Sequence, residues 1–182
     1  LDRDGLPDWW EVGYFQSATA ADAQEDVDSD GRSNLHEHDL GTNPLLAWVT
    51  YYVDPSGDDA WNGLARIWDG VNGPKATIQA AIDVSDPLEG DIVELADGTY
   101  TGVGNRDIDY LGKVLAVGSA SGPTACVIDC EGEGRGFIFQ NGESTAARLE
   151  GVTITNGDAP SESSTNKGSA IYCDGAGPVI FN

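Results

Sequence analysis

The apolar positions of this chain fall into short bursts rather than long stretches. From Asp91 onward they are Ile92–Leu95, Val114–Val117, Cys126–Ile128, Phe137–Phe139, Val152–Ile154, Ala170–Tyr172 and Val179–Phe181, each closed within a few residues by Gly, Asn or Asp. Short runs of β-branched and aromatic residues bounded by turn formers read as β-strands. Val93, Leu115 and Ile138 recur at roughly 22 residues, the order of one coil of a solenoid, and the later spacings are less regular. Strands this short also fit an antiparallel sandwich, and Asn141-Gly142 and Asn156-Gly157 would suit its hairpin turns.

The upstream segment tips the choice. Pro74–Val84 reads as a short helix with Ile78, Ala81 and Ile82 on one face. A helix just before the first strand can close the open end of a solenoid, where the first coil would otherwise expose backbone groups and core. Trp48–Val53 is a further strand-like run, followed by a polar loop rich in Asp, Asn and Gly. The expected division is an Asp-rich module over 1–46, a lead-in strand and N-terminal cap over 47–90, and a β-solenoid over 91–182.

Charge changes the picture next. The chain has 31 acidic and 9 basic residues, a formal net charge of −22. That balance argues against nucleic acid, where Lys and Arg must replace counterions, and against an anionic membrane surface. No apolar run approaches the ~20 residues of a membrane span. With 40% hydrophobic residues and five Trp, wholesale disorder is a poor explanation, so cations offsetting the carboxylates become the better one. No Met or signal peptide is present, and the chain begins inside a motif, as expected of a processed product.

The cation reading has a definite place. Asp26-Val27-Asp28-Ser29-Asp30-Gly31-Arg32-Ser33-Asn34-Leu35-His36-Glu37 follows the twelve-residue calcium loop of the EF-hand at every informative position. Asp26, Asp28 and Asp30 take positions 1, 3 and 5, Gly31 makes the turn at 6, and Arg32 offers its backbone carbonyl at 7. Asn34 stands at 9, and Glu37 at 12 can bind through both oxygens. Calcium takes six to eight hard oxygens at about 2.4 Å, and a tight loop brings alternate side chains to one point. An Asp-rich turn binding nothing explains this register poorly. A clipped copy precedes it: Asp2, Asp4, Gly5, Asp8 and Glu11 fit positions 3, 5, 6, 9 and 12, with position 1 outside the chain. The expected metal ligands are therefore Asp26, Asp28, Asp30, Arg32, Asn34 and Glu37, with Asp2, Asp4, Asp8 and Glu11 in the first loop.

Together with Trp9-Trp10 and Gly41-Thr42-Asn43-Pro44, the two loops resemble dockerin-like or thrombospondin-type-3-like calcium repeats of bacterial surface proteins. That resemblance implies permanent structural calcium and an extracellular or cell-surface setting. Tyr51–Pro55, Gly57–Leu64, Thr77–Ile82 and Gly90–Tyr100 resemble the start of a pectate-lyase-like right-handed parallel β-helix, and Leu149–Gly157 resembles an interior rung. The resemblance implies a mainly β fold, with the Thr77–Ile82 helix as cap and only the first rungs in this chain.

Candidate chemistry elsewhere is thin. His36 and His38 flank Glu37, where a zinc site is a weaker reading than packing or solvation. Asp54, Asp58, Asp59 and Asn62 form another oxygen-rich loop, with ordinary turn chemistry as the rival to calcium. Cys126 and Cys130 are about 13 Å apart in an extended strand at ~3.3 Å per residue, too far to bond each other. Buried thiols are the preferred reading for the cysteines, a bridge from Cys173 to one of the others the rival, and a metal site of all three the weakest. Arg135 beside Asp129 and Glu131 is the nearest approach to a lyase-like cluster, and a loop salt bridge explains it better. Both His lie in the calcium module, so no Ser-His-Asp set is available. The expectation is a calcium-stabilised extracellular structural protein that self-associates head to tail through its β-helix ends. The alternatives are the non-catalytic N-terminal part of a polysaccharide lyase or glycoside hydrolase, or a carbohydrate-binding module using Trp61 and Trp68.

Overall fold

A computed structural model describes residues 5–19, 21–87, 90–159 and 168–181. The order is α1 (Asp8–Phe15), α2 (Asn34–Leu40), β1 (Thr50–Val53), α3 (Ile78–Val84), β2 (Asp91–Leu95), β3 (Gly98–Tyr100), β4 (Ile108–Asp109), β5 (Leu115–Gly118), β6 (Cys126–Asp129), β7 (Phe137–Phe139), β8 (Arg148–Glu150), β9 (Thr153–Thr155), β10 (Ile171–Cys173) and β11 (Val179–Phe181). The described chain is mainly β, with three helices.

Every strand pairing among the described residues is parallel. The sheets run β1-β2-β5-β8-β11, β3-β6-β9 and β4-β7-β10. From β2 onward the chain therefore visits the three sheets in strict rotation. This excludes the antiparallel sandwich, and neither Asn-Gly pair makes a hairpin. Asn156 instead takes a positive φ of 51° just after β9 and donates to the Asp129 carboxylate at 2.9 Å. The repeat is also longer than the Val93–Leu115–Ile138 spacing suggests. Val93 pairs with Val117 and Val117 with Leu149, whereas Ile138 belongs to another sheet.

Alternation along each strand sends one set of side chains inward. Val93, Val117 and Leu149 stack from the first sheet, Tyr100 and Ile128 from the second, Ile108 and Phe137 from the third, all essentially inaccessible. Tyr110 and Phe139 pack ring to ring at 4.6 Å. Buried hydroxyls need partners: Tyr100 donates to Val53 O at 3.0 Å and Ala96 O at 2.9 Å, and Tyr110 to Arg148 O at 2.6 Å.

α3 covers one end of this core with Ile78, Ala81 and Ile82, the face the sequence predicts. It begins at Ile78 rather than Pro74. Thr77 caps it by accepting from Ala80 N, while the Asp59 carboxylate holds the N–H groups of Ala76 and Thr77 at 2.9 Å. The Lys113 ammonium donates to the carbonyls of Ile82, Asp83 and Ser85 at the helix end, where a cation is favoured. The free edge of β1 is occupied too: Tyr52 N donates to Gly63 O, and Lys75 N to Tyr52 O. α1 and α2 belong to a separate small core of Leu6, Trp10, Ala21 and Ala23. No helix among the described residues is long and apolar enough to cross a membrane.

Phe137 is one of three rings packed together, 6.1 Å from Tyr110 and 6.3 Å from Phe139, and is fully buried. Phe137→Ala should cost about 3–5 kcal/mol in urea unfolding at fixed calcium. A loss below about 1 kcal/mol would mean that the stack is not the core.

Candidate metal centre

The loop between Glu25 and α2 is built by backbone geometry. Ser29 and Gly31 take positive φ values of 65° and 95°, which fold the chain sharply back. Asn34 N donates to Glu25 O at 2.8 Å and Leu35 N to Ala23 O at 3.0 Å, tying the two ends together. Ser33 caps α2 by accepting from His36 N, which sets Glu37 on the first turn.

Inside the loop, one carboxylate oxygen from each of Asp26, Asp28 and Asp30 lies within 4.8 Å of the others. Backbone donors hold them. Asp26 accepts from Asp30 N at 3.1 Å and Gly31 N at 2.9 Å, Asp28 from Asp30 N at 3.2 Å, and Asp30 from Arg32 N at 2.8 Å. Glu37 does not join that tight group, but it feels all of it. Burial first, then the charges of Asp28 and Asp30, push its carboxyl up to about 7, against the opposing pull of Arg32. Burial and then Asp30 also raise Asp28.

The orphaned atoms test what fits. Glu37 Oε2, Asp28 Oδ2 and Asn34 Oδ1 are buried with no hydrogen-bond partner. Asn34 spends its Nδ2 on Asp22 O at 2.8 Å, which leaves the oxygen over. All three are acceptors, and a buried unsatisfied acceptor costs ~1–3 kcal/mol. The unpaired oxygen of Asp28, within the aspartate cluster, and that of Glu37, which feels the charge of all three aspartates, suit a hard cation, and the residues present fit one.

Of the expected ligands, the structure brings Asp26, Asp28 and Asp30 together and sets the buried Glu37 within reach of their charge; Asn34 is buried too, with its Nδ2 on Asp22 O. Arg32 lies in the loop with its N–H on Asp30. In the first loop, Asp2 and Asp4 lie outside the described residues. Asp8 opens α1, and the fully buried Glu11 accepts from Ala21 N at 3.4 Å. Sequence reasoning missed Trp48, whose N–H donates to Asp30 Oδ2 at 3.3 Å; the spacing of the motif carries no signal for a contact from outside it.

The other candidates resolve into local structure. Asp54, Asp58, Asp59 and Asn62 each accept from nearby backbone N–H groups, which is turn and cap chemistry. His38 packs edge-on against Trp10 and bonds Asp39, while His36 is exposed. Glu131 pairs with Arg106 rather than Arg135, which instead donates to Gly168 O and lies over the Tyr172 ring. Cys126 and Cys130 are buried, Cys173 is exposed, and none is bridged. Trp61 and Trp68 stack on each other at 4.8 Å. Comparison with protein-family models, curated proteins and solved structures finds no match for this chain.

Glu37 gives a pH signature. Its carboxyl is raised from 4.5 to about 7 in the folded chain, so across that window the folded state binds the extra proton. Without metal, stability contributed by this group is full below the lower value and lost as pH rises through the upper one. Melts in chelator should show Tm falling over that interval, and Glu37→Gln should flatten the slope. An unchanged slope in the variant would remove Glu37 as its origin.

Proposed function

We propose that this chain is a calcium-stabilised structural protein of the cell exterior. In this reading its three parallel sheets close into a right-handed, three-faced β-helix, the hand that parallel crossovers adopt, with the calcium module at the lead-in end. The observation that carries the reading is the convergence of Asp26, Asp28 and Asp30 within 4.8 Å beside buried Glu37. An all-oxygen set on a twelve-residue loop suits calcium, and magnesium demands a tighter octahedron. Loops of this kind in extracellular modules work at ~10⁻⁴–10⁻³ M calcium, where occupancy is permanent and structural.

The use made of the basic residues supports a scaffold. Lys113 holds the end of α3, Arg106 bridges Glu131 and Glu133, and Arg66 bonds Glu94 at 2.8 Å while lying over Tyr52. Head-to-tail growth by strand addition does not belong to this proposal, because the outer edge of β1 already bonds Gly63 and Lys75.

Calorimetry with calcium, and melts in calcium against EDTA, test the reading. Calcium at a hundredfold excess over Kd should add ~2.7 kcal/mol. Asp28→Ala should abolish binding to this loop, and magnesium at equal concentration should do little. Light scattering should report a monomer in both conditions. The absence of binding heat and of any Tm shift would overturn the calcium reading; long particles that dissolve in EDTA would overturn the monomeric scaffold.

A further inference from the structure

We infer that calcium in the 26–37 loop is felt by the parallel sheets through Arg32, which latches the module onto the first two strands. The inference rests on the calcium reading above. The latch is built on Asp30. One of its carboxylate oxygens accepts from Arg32 N at 2.8 Å, and the other from Trp48 N at 3.3 Å. A cation that fixes this carboxylate therefore fixes two backbone points at once, one in the module and one just before β1.

The Arg32 guanidinium then spans the seam. It lies over the Trp48 ring at 5.1 Å and donates from Nη2 to Gly90 O at 3.2 Å. Gly90 precedes β2 directly. It has φ +72°, and a Cβ there would stand 2.6 Å from Thr42 Cγ2 and 2.8 Å from Arg32 Nη1. A side chain there would have to push both aside, and the left-handed φ favours glycine. Thr42 in turn donates its N–H to Glu37 O at 3.0 Å, so the far side of the contact also leads back to the loop. The adjacent Asp91, 1% exposed, accepts from Val49 N at 2.7 Å and Asp86 N at 2.8 Å. The start of β2 and the lead into β1 are thus clamped by one carboxylate, one residue from the latch.

Coupling of this kind is reciprocal: whatever docking gains from calcium, calcium binding gains from docking. The two sides can be perturbed separately. Arg32→Ala and Arg32→Lys cut the latch from the module, and Gly90→Ala disturbs it from the sheet without touching a ligand.

The test is hydrogen exchange on the full chain, in calcium and in EDTA, beside calorimetric calcium titrations of the wild type and the three variants. In the wild type, calcium should slow exchange over 49–53 and 91–95. Arg32→Ala should lose that gain in protection, and both Arg32→Ala and Gly90→Ala should still bind calcium but about fivefold or more weakly. Arg32→Lys, which keeps the charge and loses the fork, should resemble Arg32→Ala and guards against a misfolded alanine variant. Wild-type calcium affinity in Gly90→Ala, or wild-type protection gains in both Arg32 variants, would overturn the latch while leaving the calcium reading intact. A wild type that binds no calcium would overturn both.

Discussion

Parallel pairing between strands near in sequence is the constraint from which the larger part of this structure follows. Two parallel neighbours cannot be joined by a tight turn, because the chain must first travel back to the starting edge. Here it returns through two other sheets. β2 reaches β5 only by way of β3 and β4, and the same circuit carries β5 to β8 and β8 to β11. Each inward position then meets its equivalent one circuit later, as Val93 meets Val117 and then Leu149. The core is a stack of ladders, and each circuit adds to it only by lying in register on the one before.

Such a stack has an end at its first strand, and there the constraint becomes a cost. β1 presents a strand edge, and the core beneath it an apolar face. The edge is closed by Gly63 and Lys75, and the face by Ile78, Ala81 and Ile82. The small module of α1 and α2 lies beside this closure around its own core. Leu6, Trp10, Ala21 and Ala23 bury little surface, and a module of that size depends on a metal or on docking. Arg32 reaching to Gly90 gives it the second.

How much of this was readable depends on range. Seven strands coincide within a residue or two with the apolar bursts, because a burst bounded by turn formers is local information. β3, β4 and β8 are short and interleaved with polar residues, as in Gly98–Tyr100 and Arg148–Glu150, so no burst marks them. Without them the three-sheet rotation was hidden, and Ile138 looked like the next turn of Val93. The Asn-Gly pairs suited the rival sandwich for a related reason: a positive φ at Asn156 serves a corner between sheets as well as a hairpin. The acidic cluster of Asp26, Asp28 and Asp30 was legible, since its residues sit within one short loop. The Trp48 and Gly90 contacts were not, because they join positions far apart in sequence that only the fold brings together.

The acidity of the chain finally sorts into two kinds of carboxylate. At an exposed turn and at the end of β6, Asp69 and Asp129 accept from nearby N–H and amide donors, and those bonds hold their carboxyls below the usual range. In the loop, burial and mutual charge push Asp28 and Glu37 the other way. Direction alone does not identify a site, and Asp91 shows why. Burial raises it as well, yet both of its oxygens are taken, by Val49 and Asp86. Asp28 and Glu37 differ in having a buried oxygen left over. A buried carboxyl that keeps an unfilled acceptor beside the Asp26-Asp28-Asp30 cluster is where a hard cation would fit.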